Sequence, residues 1–183
     1  ALFPFISEPY TDKTTFPHIK ISNHLMIIFA VDATKDLLMN VLPYHPFLIK
    51  PNNHELGEIF GVELKTRQEV VPYGKKLQEL GAENVLISMA GEGAVLITKH
   101  GAVYKKEAPE GKLVNGVGAG DSMVAGFMAG WLEKQDYEYA FHMGMAAGSA
   151  SAFSENLATK AEIQAVYEQV TRINLQEQTG GIL

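Results

Sequence analysis

Cysteine is absent from the 183-residue chain, which excludes a disulfide framework, a thiolate nucleophile and a cysteine-based zinc site. Positive charge is scarce: 15 Lys and Arg against 21 Asp and Glu give a formal charge of −6. Clustered cations that bind a phosphate backbone are therefore missing, and no nucleic-acid partner is expected. The densest basic spot, Lys105-Lys106, reads as ordinary surface. The six histidines are scattered without metal-ligand spacing. Long apolar runs are also lacking, since Leu25–Val31 and Met123–Leu132 fall short of the roughly 20 residues that cross a bilayer. With no membrane span and no basic-then-apolar leader, the expected location is cytoplasmic.

What is present suits one ordinary domain, because 46% hydrophobic composition supplies enough apolar material for a core. Residues 1–29, with Pro4, Pro9 and Pro17 among aromatic and polar residues, show no sustained period and stay unassigned. Leu25–Val31 reads as a buried strand. Thr34 then caps a helix with Leu37, Leu38, Val41 and Leu42 on one face. Phe47–Lys50 is a short strand closed by Pro51, and Asn53–Phe60 a helix. Thr66–Leu80 is another, with Pro72 as its weak point and Gly81 as its stop. Val85–Ser88 is a strand, and Ala94–Thr98 pairs with Ala102–Lys106 as a hairpin across Lys99-His100-Gly101. Helices follow at about Ala119–Glu133, Tyr137–Phe153 and Lys160–Arg172, and residues 176–183 read as a frayed tail. Strands alternating with helices predict an α/β fold, a mostly parallel sheet with helices on both faces and ligands at the carboxyl ends of its strands.

The segment Val114-Asn115-Gly116-Val117-Gly118-Ala119-Gly120-Asp121-Ser122 opens an almost uniformly apolar helix. Glycines at a loop-to-helix junction let backbone N–H groups approach an anion, and the helix start adds about half a positive charge. No Gly-Lys-Ser/Thr follows as in a Walker loop, and Asp121 stands where the last glycine of a dinucleotide fingerprint belongs. A carboxylate beside a phosphate is repelled unless it serves the chemistry, so Asp121 is a candidate general base. Against this stands the plain preference for acids in a first helical turn.

Three further segments carry weaker signals. Asn52-x-x-Glu55, after Lys50-Pro51, could position a magnesium-bound triphosphate through water, but the same spacing makes a capping box, as do Thr66-x-x-Glu69 and Thr159-x-x-Glu162. Ser88-Met89-Ala90-Gly91-Glu92-Gly93 could admit a nucleotide phosphate or simply form a tight turn, and alone the turn is the better reading. Ala146-Ala147-Gly148-Ser149-Ala150-Ser151-Ala152 serves close helix packing or leaves room for an adenine ring.

In this order and combination the segments resemble the PfkB sugar kinases, whose C-terminal signature is the Gly-Ala-Gly-Asp at 118–121. The wording from Lys50 to Leu64 is similar to the 1-phosphofructokinase and tagatose-6-phosphate kinase branch. The resemblance implies a ribokinase-like three-layer α/β/α fold and transfer of the ATP γ-phosphate to the C6 hydroxyl of fructose 1-phosphate, with tagatose 6-phosphate as the rival sugar phosphate. It implies Asp121 as base, with Gly118, Ala119 and Gly120 stabilising charge on the transferred group. Lys50, Asn52, Ser88, Gly91, Gly93, Gly120 and Gly148 would bind the nucleotide, and Asn52 and Glu55 would hold Mg²⁺ through water.

The resemblance covers residues 30–175, the C-terminal half of the family, and Gly116 replaces its usual Ser or Thr. The sheet is therefore expected to be incomplete on its N-terminal side. An uncovered sheet face would be a large apolar patch, so self-association into a homo-oligomer is expected. A nucleotide-binding module without turnover is the alternative from another class. A nicotinamide-dependent dehydrogenase is disfavoured by the GxGxGD spacing.

Overall fold

A computed structural model of the protein describes residues 28–179, with side chains given for residues 28–172. The unassigned residues 1–27, the proposed strand start Leu25–Ile27 and Gly180-Gly181 lie outside the described residues.

Among the described residues five strands lie side by side in chain order: β1 (Ala30–Val31), β2 (Leu48–Ile49), β3 (Asn84–Ser88), β4 (Ala94–Ile97) and β5 (Val103–Lys106). β1 pairs with β2, and β2 with β3, in parallel, placing Val31 beside Ile49 and Ile49 beside Val85. β4 is antiparallel to both β3 and β5, so it alone runs against the other four. Among the described residues six α-helices accompany the sheet: α1 (Lys35–Val41), α2 (Asn53–Phe60), α3 (Val70–Glu79), α4 (Ala119–Lys134), α5 (Tyr137–Ala152) and α6 (Lys160–Thr179).

Side chains alternate across a strand, and each alternate residue here belongs to a different core. Leu48, Leu86, Ala94 and Leu96 pack with Met123 and Phe127 of α4, Phe141 and Met145 of α5, and Val166 and Val170 of α6. Ile49, Val85, Ile87, Val95 and Ile97 pack on the opposite face with Leu38 of α1, Leu56 of α2 and Leu77 of α3. The central strands are buried on both sides, which is why they read as unbroken apolar runs. α4 and α5 approach closely, because a Cβ at Gly144 would stand 2.9 Å from the Met123 carbonyl oxygen and one at Gly148 3.0 Å from that of Ala119.

Several expectations need correction. Both faces of the sheet carry helices, so the reason given for self-association does not hold. β1 is only half-buried. Leu37 is exposed, off the apolar face of α1, and Thr34 sits at its N-cap without a side-chain bond. Pro72 is the third residue of α3, where a missing N–H costs no helical bond, so it is no weak point. Lys106 is buried in β5 and is not ordinary surface. α6 continues through Thr179, past the expected frayed boundary.

Candidate functional site

β1, β2 and β3 point the same way, and the chain segments leaving their carboxyl ends carry the predicted site residues. Asp32 follows β1, Lys50 follows β2 and Ser88 closes β3. Asn52 and Ser88 form a parallel bridge beyond the named strands, with the Ser88 amide donating to the Pro51 carbonyl at 3.1 Å. Asn52 also caps α2. Its Oδ1 accepts from the Glu55 amide at 2.8 Å, and Glu55 Oε2 accepts from the Asn52 amide at 2.8 Å. The capping reading of this motif is thus correct, yet the box consumes only one polar atom of each side chain. Thr66 with Glu69 and Thr159 with Glu162 form the same reciprocal bonds.

The start of α4 is set by its loop. Asn115 Oδ1 accepts from the Val117 amide at 3.0 Å, while the amides of Val114 and Asn115 donate to the Ala152 carbonyl at the end of α5. Gly118 occupies the N-cap with φ +78, a left-handed conformation costly for other residues, and a Cβ there would also stand 2.9 Å from Leu157 Cδ2. Gly120 and Asp121 then fall in the first turn, where amides have few intrahelical acceptors and the helix dipole is positive. Asp121 is exposed. Behind it, Ser122 accepts a 2.9 Å bond from the Ser151 hydroxyl of α5.

A groove of about 1070 Å³ runs from the end of β3 to the junction of α4 and α5. Asn52, Ser88, Gly91, Gly93, Ala119, Gly120 and Gly148 line it. Glu55, Gly118 and Asp121 do not: Glu55 is in the cap, Gly118 turns the loop and Asp121 lies one residue beyond the wall. Lys50 is also off the wall, buried against Gly120. Gly93 is held by packing, since a Cβ would collide with the Lys106 carbonyl oxygen, and this favours the turn reading for that glycine.

Sequence reasoning missed two groups. Met123, Met145 and Phe153 give the groove an apolar wall, and Pro109 and Gly111 close it from the loop after β5. Helical spacing alone could not separate these from core residues. Asp32 was also passed over, although it follows an apolar strand at its carboxyl end; it forms an ion pair with Lys50 at 3.2 Å. The turn at Ala90–Glu92 is clamped by Arg67, which donates to the Glu92 carbonyl and, at 2.8 Å, to the Glu107 carboxylate.

The dimensions and chemistry suit a nucleotide, with an apolar end for a base and polar glycine turns for phosphates. Among the described residues no three acidic or histidine side chains cluster as metal ligands. Asn52 and Glu55 alone fit Mg²⁺ only as a hydrated ion carried mainly by phosphates. Among the described residues no helix is long and apolar enough to cross a membrane.

Comparison with known proteins agrees with this fold. The chain is 51% identical over 140 residues to 1-phosphofructokinase of Bacillus subtilis, covering 76% of this chain and 46% of that protein. It is 35% identical over 153 residues to D-tagatose-1-phosphate kinase of Bacillus licheniformis, covering 83% and 49%. Phosphofructokinase-2 of Escherichia coli, solved with substrates and products, superposes with a TM-score of 0.71 at 28% identity over 78% of this chain and 47% of that one. Arabidopsis thaliana ribokinase, at 19% identity, shares the fold with a TM-score of 0.65 over 78% and 48%. The chain thus spans about half the length of the curated relatives it matches. The model of the pfkB carbohydrate kinases matches residues 18–164, and the chain belongs to that family.

Proposed function

We propose that this chain forms the nucleotide-binding and phosphoryl-transfer half of a kinase that moves the γ-phosphate of ATP to the C6 hydroxyl of fructose 1-phosphate. The observation that carries the reading is the placement of Asp121 on the first turn of α4, directly after two residues lining a groove of nucleotide size. Asp121 would take the C6 hydroxyl proton as that oxygen attacks the γ-phosphorus. The β,γ-bridging bond breaks, and ADP and fructose 1,6-bisphosphate are the products. Backbone groups of Gly118, Ala119 and Gly120 would meet the charge on the transferred group, positioning and charge stabilisation being the larger share of such catalysis.

Ser88, Gly91 and Gly93 would meet the nucleotide phosphates and ribose, and Gly148 with its neighbours the adenine. Mg²⁺, when bound, neutralises phosphate charge; Asn52 Nδ2 and Glu55 Oε1, left over by the capping box, would orient its waters. The substrate reading draws support from the B. subtilis relative. The rival sugar suggested by the relatives' names is tagatose 1-phosphate, where the sequence suggested tagatose 6-phosphate. Fructose 1-phosphate and tagatose 1-phosphate share a C1 phosphate and a free C6 hydroxyl.

The test is ADP release by the purified chain with each sugar phosphate, compared with Asp121→Asn. Turnover with fructose 1-phosphate that falls at least about a hundredfold in the variant supports the reading. ATP binding without turnover favours a nucleotide-binding module, and turnover unaffected by the substitution removes Asp121 from the chemistry.

A further inference from the structure

Lys50 and Asp32 form an ion pair withdrawn from water: Nζ lies 3.2 Å from Oδ2, and the side chains are only 7% and 30% exposed. The two residues follow adjacent parallel strands, so the pair spans the carboxyl ends of β1 and β2. It also touches α4. A Cβ on Gly120 would stand 3.1 Å from Lys50 Nζ, 3.3 Å from its Cε and 3.7 Å from Asp32 Oδ2.

A buried ammonium against the first turn of a helix is the reverse of what stability favours. That end of the helix is already positive, and cations are stabilised at the other end. Removing an ammonium from water is costly unless partners compensate, and here a group with three donors is set against a single carboxylate. Two positive groups converging at one place make physical sense if an anion is to sit between them.

We infer that Asp32 is a positioning residue: its carboxylate holds the Lys50 ammonium against the first turn of α4, so that ammonium and helix start converge on the terminal phosphate of the nucleotide. The assignment rests on the ATP reading above. Asp32 keeps the ammonium from swinging to solvent before the anion arrives. Gly120, by lacking a side chain, leaves the ammonium room beside the backbone.

Two measurements on the full chain test this. Calorimetry compares ATP, ADP and AMP binding by wild type and Asp32→Asn. The expected result is a loss of about tenfold or more for ATP, a smaller loss for ADP and none for AMP. Equal losses for all three nucleotides, or none, overturn the inference while leaving the ATP reading intact. The second measurement needs no nucleotide: the rate of reductive methylation of Lys50, read by peptide mass spectrometry, with buried Lys106 as the internal reference for loosening of the fold. Faster labelling of Lys50 alone in Asp32→Asn supports the hold. Unchanged Lys50, or Lys50 and Lys106 accelerated together, contradicts it. If the wild-type chain binds no ATP, the reading under Proposed function fails, and the labelling result alone decides whether Asp32 holds Lys50.

Discussion

The Ser151 hydroxyl donates to Ser122 Oγ across 2.9 Å and accepts from the Ala158 amide at 3.2 Å, so one buried side chain joins α5, the segment before α6 and the first turn of α4. Ser151→Ala leaves the part-buried Ala158 amide and Ser122 hydroxyl each short of a partner. The expected loss is about 1–2 kcal/mol of folding stability, measured as a lower urea midpoint with an unchanged slope. Because Ser122 adjoins Asp121, turnover should fall by more than substrate affinity.

Gly116 should tolerate substitution and Gly118 should not. A Cβ at Gly116 meets nothing within 4 Å, whereas Gly118 has φ +78 and Leu157 at 2.9 Å. Gly116→Ser, which restores the family's usual hydroxyl, should change stability by less than about 0.5 kcal/mol. Gly118→Ala should cost about 1–2 kcal/mol through left-handed strain, and more if Leu157 cannot yield. Thermal unfolding of the two variants side by side checks the contrast.

The capping box separates two roles of Glu55. Asn52→Ala should cost about 1 kcal/mol, the usual worth of an N-cap. Glu55→Gln keeps an oxygen for the Asn52 amide but removes the charge. It should leave stability nearly unchanged while weakening the Mg²⁺ dependence of ATP binding. Equal Mg²⁺ dependence in wild type and Glu55→Gln would show that Glu55 is only a cap.

Burial holds the His142 imidazole down to about 4, the Lys106 ammonium adding to the effect and Asp136 opposing it. A group whose folded pKa lies below its unfolded value near 6.5 binds more protons when unfolded, so stability falls as pH drops. The window runs from about 6.5 down to about 4, below which the penalty is complete. Urea midpoints across that range should decline in wild type and decline less in His142→Gln. Parallel declines would assign the acid sensitivity to other groups.

Much of this was legible because local signals coincided. α2 was readable to the residue, since Asn52 and Glu55 cap it and Gly61 takes the left-handed position that ends it. The hairpin was readable from Gly101 between two apolar runs. What escaped was set by tertiary packing. No local pattern shows that Lys106 is buried or that Asp32 pairs with Lys50 eighteen residues on, because the sheet register brings them together. For Gly93 the turn itself was the better reading of its segment, but the β5 backbone that requires a glycine there was not visible locally. The site was legible as a set of glycine turns and one aspartate; its apolar wall of Met123, Met145 and Phe153 was indistinguishable from core.

The most direct test of the central claim, that the groove takes ATP, is calorimetric titration of the purified chain with ATP in the presence and absence of Mg²⁺. The account predicts saturable one-site binding that tightens with Mg²⁺ and is lost when a bulky side chain is placed at the groove by Gly91→Trp, where an added Cβ meets nothing within 4 Å, in a variant shown to remain folded. Absence of binding by the folded wild-type chain, or binding indifferent to the filled groove, would contradict it.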